Sequence, residues 1–275
     1  MKTIILRSEF KICFILIHFQ NISFSYLPDK QVLNKVSFSL DKGKTLAIVG
    51  VSGCGKSTLL RIIAGILPGN KYLLEGNITV CGKTPDAYRQ MGKLSFMFQE
   101  PTLMPNLTVK ENITLPLKVK SVKDTRDVND LIATVGLEEA KNYLPKQLSG
   151  GMKTRVALAR SYVTFPELLL LDEPFSALDI GWKSRLYVEL EKLKEITNTT
   201  IIIVTHDVQE ALLLADHVIV LNFLGFIETA KDIVSNFSIL ERVSNISGYM
   251  NSVYERYLLP VQDAIMNGKT IEYEK

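Results

Sequence analysis

Apolar and polar positions alternate at the front of the chain and fuse into unbroken apolar blocks further on. Ile22-Ser23-Phe24-Ser25-Tyr26 has the every-second-residue pattern of a half-buried strand, and residues 12–26 as a whole read as β. After a turn at Pro28-Asp29, Val32, Val36, Phe38 and Leu40 continue the pattern in a second strand. Thr45-Leu46-Ala47-Ile48-Val49, Leu94-Ser95-Phe96-Met97-Phe98, Leu168-Leu169-Leu170-Leu171, Thr200 to Asp207 and Val218 to Leu221 read as buried strands, mostly apolar on both faces. A short strand is expected between Gly76 and Gly82. Helical spacing runs from Ser57 to about Ile66, from Thr108 to about Thr134, from Lys153 to Val163 and from Ser184 to Ile196. Strands alternating with helices predict an α/β fold with a parallel sheet and an antiparallel edge subdomain at the front. In such a sheet ligands bind at the carboxyl ends of the strands.

A chemical motif stands at one of those ends. Gly50-Val51-Ser52-Gly53-Cys54-Gly55-Lys56-Ser57-Thr58 fits G-x-x-x-x-G-K-[ST], between an expected strand and an expected helix. Glycines let the backbone wrap a phosphate, and successive N–H groups at a helix start bind an anion. Lys56 can reach the β- and γ-phosphates, and the Ser57 hydroxyl can bind Mg²⁺. Two carboxylates, Asp172 and Glu173, close the all-leucine strand. They are costly to bury without a cation or a proton-transfer role. Asp172 holds the position of a Mg²⁺ ligand in phosphate-loop enzymes, and Glu173 can polarise an attacking water. Gln99 and His206 also fall at strand ends.

Bulk properties narrow the class. With 275 residues the chain can build a sizeable core, and 47% apolar and 22% charged residues are ordinary for a water-exposed globular protein. A net charge of +3 argues for neither nucleic acid nor an anionic membrane surface. Three widely spaced cysteines, Cys13, Cys54 and Cys81, indicate no disulfide framework and a reducing compartment. Cys54 reads as a small residue turned away from the phosphate. Phe10 to Phe19 is too short to span a bilayer and carries Lys11, and no small-residue cleavage site follows it. It reads with its neighbours as two edge strands of a sheet.

In this company the sequence resembles the ATPase subunits of ATP-binding cassette transporters over roughly residues 15–225. Tyr26 looks like the family's adenine-stacking aromatic and Gln99 like its glutamine loop. Leu148-Ser149-Gly150-Gly151-Met152 matches the family signature, and Asp172-Glu173 the Mg²⁺ ligand and catalytic base. Ser176-Ala177-Leu178-Asp179 matches the aspartate loop, and His206 the switch histidine. The resemblance implies ATP and Mg²⁺ as cofactors, with Ser57, Gln99 and Asp172 toward the metal. It also implies a head-to-tail homodimer in which Ser149, Gly150 and Gly151 face the partner's nucleotide. The expected partners are a membrane permease at the cytoplasmic face and, indirectly, an extracytoplasmic solute-binding protein; nucleic acid is not among them. The organisation expected is one domain over 1–275. Its core is 1–101 and 163–235, with a helical subdomain at 102–162 and a helical tail at 236–275 that packs on the core.

Within the family the chain is most similar to the nitrate, sulfonate and taurine importers. The cues are Met152, Phe98-Gln99-Glu100-Pro101, Pro105 with Leu107-Thr108-Val109, and His206-Asp207-Val208-Gln209-Glu210-Ala211-Leu212. It departs from the usual pattern at Asn106, Thr154 and Gly181-Trp182-Lys183. The alternatives are an exporter subunit, a non-transport ATPase of the same superfamily and a phosphate-loop kinase. The first dozen residues read as a start placed too early or as an extra edge strand.

Overall fold

A computed structural model describes residues 15–28, 30–67, 69, 72–120, 128–222, 225, 227–232, 262 and 265. Among these residues the strands form two sheets. β1 (Ile15–Leu27), β2 (Lys30–Asp41) and β4 (Leu73–Val80) make a small antiparallel sheet in the order β2-β1-β4. β3 (Thr45–Val49), β5 (Leu94–Met97), β6 (Leu168–Asp172), β7 (Thr200–Thr205), β8 (His217–Leu221) and β9 (Ile227–Asp232) make the larger one. Its order is β5-β6-β7-β3-β8-β9, parallel except for β9, which runs antiparallel on β8. The helices are α1 (Lys56–Ala64), α2 (Pro85–Gln90), α3 (Val109–Lys120), α4 (Val128–Thr134), α5 (Gly150–Tyr162), α6 (Ile180–Thr197) and α7 (Val208–Leu214).

The strand period of two divides the large sheet's side chains between two cores. Leu46, Ile48, Leu168, Leu170, Ile202 and Val204 share one core with α1 and the small sheet. Ala47, Val49, Leu169, Leu171, Ile201 and Ile203 share the other with α3 to α7. α1 is buried over most of its surface, with Leu59, Leu60, Ile62 and Ile63 packed inside. Each such side chain contributes about 1.5–3 kcal/mol of burial. The helix stops where Gly65 turns left-handed (φ +63°) and returns its N–H to Arg61 and Ile62. β3, inside the sheet, delivers the phosphate loop to the middle of the molecule.

Several expectations shift. β1 is a single strand at the centre of the small sheet, not two edge strands. Alternation reveals which face is buried but not which strands are neighbours. An irregularity at Asn21 (φ +52°) breaks its register between Phe19 and Ile22. α6 starts at Ile180 rather than Ser184, because Asp179 caps it. α5 starts at Gly150 rather than Lys153, because Ser149 caps it. The helical stretch expected over 108–134 holds α3 and α4, and residues 121–127 lie outside the described residues. α2, α7 and β9 were not foreseen. Most of the tail and residues 1–14 also lie outside the described residues, although Ile265 packs against the larger core. No helix among the described residues is long and apolar enough to cross a membrane.

Candidate functional site

The loop between β3 and α1 closes over its own lysine. Lys56 is only 6% exposed, and its Nζ donates to the carbonyls of Gly50 (2.8 Å) and Val51 (2.9 Å). The chain can turn this tightly because Gly55 sits at φ +106°, where a side chain would be strained. A Cβ there would also come within 3.0 Å of Val32 and Leu33. Cys54 is buried beneath the loop, as expected, and burial pushes its thiol up, away from reactivity.

The carboxylates at the end of β6 meet this loop. Ser57 Oγ donates to Asp172 Oδ1 at 3.0 Å. Burial holds the Asp172 carboxyl above its usual range; the Ser57 hydrogen bond opposes that rise and the charge of Glu173 adds to it. Glu173 stands at φ +48° and donates its N–H to Val204 O at 2.9 Å. Gln99 Nε2 donates to Glu173 Oε2 at 3.4 Å, and His206 Nδ1 lies 3.4 Å from the same oxygen. The His206 ring is 60% exposed. Three strand ends thus converge on one carboxylate oxygen. An open cleft of about 300 Å³ lies between this carboxylate and the loop. Tyr26, Ser52, Lys56, Ser57, Gln99 and Glu173 are among the residues that line it. Tyr26 Oη lies 3.1 Å from Thr58 Oγ1 and the Tyr26 ring meets Phe24 edge-on, so its position is fixed.

The model of the family described as ABC transporter matches residues 33–176. This chain belongs to the ABC transporter family. It is 44% identical over 194 residues to the aliphatic sulfonates import ATP-binding protein of Bacillus cereus (strain ZK / E33L), covering 70% of this chain and 74% of that one. It is 41% identical over 208 residues to the spermidine/putrescine import ATP-binding protein of Thermotoga maritima, covering 74% of this chain but 55% of the relative. Among solved structures, an ATP-binding cassette captured as a dimer after hydrolysis, with ADP and phosphate, is 29% identical with a TM-score of 0.70. The match covers 80% of this chain and 99% of that one. The fold is that of the ABC ATPase cassettes, whose members bind and hydrolyse ATP as transporter subunits.

Other ABC motifs lie outside the cleft. Ser149 caps α5, accepting the N–H of Met152 at 3.3 Å, and Gly150 faces open space. Gly151 lies close to Ala177, whose carbonyl would be 3.2 Å from an added Cβ. Asp179 caps α6 through Trp182 N–H (3.0 Å). The residues present fit Mg²⁺, which favours oxygen ligands and usually takes only one or two from protein carboxylates. Ser57 Oγ and the raised Asp172 carboxyl already touch, and a cation between them would relieve the buried charge. Among the described residues no three His, Cys, Asp or Glu side chains cluster as a metal cage.

Sequence reasoning missed some supporting residues. Arg160 of α5 donates to the carbonyls of Pro101 (2.7 Å) and Thr102 (3.0 Å), fixing the backbone just beyond Gln99. Asp207 caps α7 through the N–H groups of Gln209 and Glu210. An aspartate three residues before a glutamate was the available signal for that cap. No local signal points to Arg160, whose partners lie 58 and 59 residues away.

Proposed function

We propose that this chain is the ATP-hydrolysing subunit of an importer, working as a head-to-tail pair of identical subunits on a membrane permease. The observation that carries the reading is the convergence of Gln99 and His206 on Glu173 Oε2 beside the Ser57–Asp172 contact. Tyr26 stacks on adenine, and the backbone N–H groups of Gly50 to Thr58 cradle the phosphates. Lys56 swings from its own carbonyls to the β- and γ-phosphates. Ser57 and Asp172, with Gln99, would hold Mg²⁺, which when bound would supply charge neutralisation on the transferring phosphoryl group. Glu173 accepts the proton of the attacking water, and His206 orients that carboxylate and senses the γ-phosphate. Ser149, Gly150 and Gly151 present a helix N-terminus to the partner's nucleotide, with Asp179 beside them.

The permease and, through it, an extracytoplasmic binding protein place the subunit at the cytoplasmic face of the membrane. The likeness to a sulfonate-import protein, together with Met152 and the run around Gln99, supports a small anion or organic solute. Steady-state hydrolysis by the purified subunit tests the reading. Lys56→Ala should lose at least about 10²-fold in rate, as when a transition-state charge contact is removed, and chelation of Mg²⁺ should stop turnover of the wild type. Wild-type turnover in either case would overturn it.

A further inference from the structure

Trp182 is the chain's single tryptophan. It stands near the start of α6, three residues beyond Asp179, which accepts its N–H. The Cη2 edge of its ring abuts the backbone just beyond α4: a Cβ on Gly136 would come within 2.0 Å of Cη2. Gly136 is at φ +61° and no other residue type fits there without moving the ring. The ring stacks on Arg155 of α5, whose guanidinium carbon is 3.9 Å from the ring centroid, with that of Arg185 further off at 5.2 Å. Arg155 Nη1 donates to Val135 O (2.7 Å) and Gly136 O (3.0 Å), so the same cation ends α4 and stacks on α6. It is only 8% exposed and feels the charge of Asp179. One turn earlier on α5, Gly151 rests on Ala177 and Leu178 of the aspartate loop. The helix that begins at Ser149 is therefore fastened to the segment around Asp179 at two points, a turn apart.

We propose that Trp182 is a positioning residue that locks the Ser149–Gly151 helix start to the Asp179 loop, so that both meet the partner subunit's nucleotide as one rigid piece. The inference rests on the head-to-tail pairing proposed above. Trp182 lines no part of the nucleotide cleft, so its loss should spare binding of ATP to the single subunit. It should weaken closure of the pair. A stacked cation on tryptophan that is shielded from water is worth enough to shift an affinity by about tenfold.

The test uses the full chain carrying Glu173→Gln, with and without Trp182→Ala, and Mg-ATP. A fluorescent ATP analogue should bind both with affinities within about twofold. The ATP-dependent dimer, followed by light scattering, should need about tenfold more protein when Trp182 is alanine. In the Glu173 background, Trp182→Ala should lower kcat with little change in KM for ATP. Trp182→Phe, which keeps a ring over Arg155, should restore most of both. Equal dimerisation with and without the ring overturns the proposal, as does loss of nucleotide binding in parallel with dimerisation. If the Glu173→Gln parent itself fails to pair with ATP, the head-to-tail reading fails first and takes this proposal with it. Should Trp182→Ala melt below the assay temperature, Arg155→Lys replaces it. That change keeps the charge but loses the planar stack, and it carries the same expected outcome.

Discussion

Glu173 pays a conformational cost for its place. A left-handed backbone at a non-glycine residue costs about 1–3 kcal/mol, and such strain persists where surrounding structure imposes it. Here the Val204 carbonyl holds the Glu173 N–H, and Ser176 returns a hydroxyl to the Glu173 carbonyl at 3.1 Å. Its charge also pushes on Asp172. Glu173→Gly should remove both penalties, raising stability by up to about 1 kcal/mol in chemical denaturation while abolishing hydrolysis. A destabilised Glu173→Gly variant would contradict this account of the strain. Glu210 offers a second check. Burial is the main cause that raises its pKa to about 7, with Lys183 opposing and Asp207 reinforcing the rise, while Thr205 and Tyr187 oppose it by hydrogen bonding. The Tyr187 hydroxyl lies 3.1 Å from it and the Lys183 ammonium 3.7 Å. The folded chain keeps a proton at Glu210 that the unfolded chain releases at lower pH. This contribution to stability is fully present below the unfolded pKa and is lost as pH rises through about 7. The melting temperature of the wild type should fall more steeply between pH 5 and about 8 than that of Glu210→Gln. Parallel slopes would contradict the assignment.

At the scale of elements, the segment after Gln99 decides how the cleft communicates outward. Asn112 of α3 is fully buried and uses its amide on Met104 N and O, Leu107 O and Thr108 O. The loop is clamped in place, yet Met104 is 46% exposed. Leu103 is turned into the larger core and Leu107 is half-buried. An apolar, flexible side chain held out on a fixed loop suits docking of a permease helix. Met104→Asp should abolish transport with the co-expressed permease and leave hydrolysis by the isolated subunit within about twofold, since Met104 lines no part of the cleft. Normal transport by that variant would remove this surface from the coupling path. The strands and the chemistry at their ends were legible, because apolar blocks of β3, β6 and β7 stop at polar residues. α2 was not, since Tyr88 is its one buried side chain and six residues carry no helical period. α7 was hidden because its cap, Asp207, read as the end of β7. Contacts such as Trp182 on Gly136 join residues 46 apart (182 − 136) and leave no local trace.

In the whole molecule, two cores meet along the large sheet, and the cleft opens where β3, β5, β6 and β7 end. The groups proposed to bind nucleotide within one chain face that cleft, whereas the helix starts at Ser149 and Asp179 lie outside it. In the proposed head-to-tail pair, a single chain holds half of two different sites, and a second copy brings each half to its complement. Such a pair would couple hydrolysis to its own opening and closing. Glu173→Gln tests it most directly, because it removes the proton acceptor and leaves Lys56, Ser57 and Asp172 to bind Mg-ATP. Size-exclusion chromatography with light scattering should show this variant moving from the mass of one chain to that of two when Mg-ATP is added. Hydrolysis should be at least about 10²-fold slower than in the wild type. A variant that stays at the mass of one chain and hydrolyses ATP at the wild-type rate would contradict both the role of Glu173 and the two-chain site.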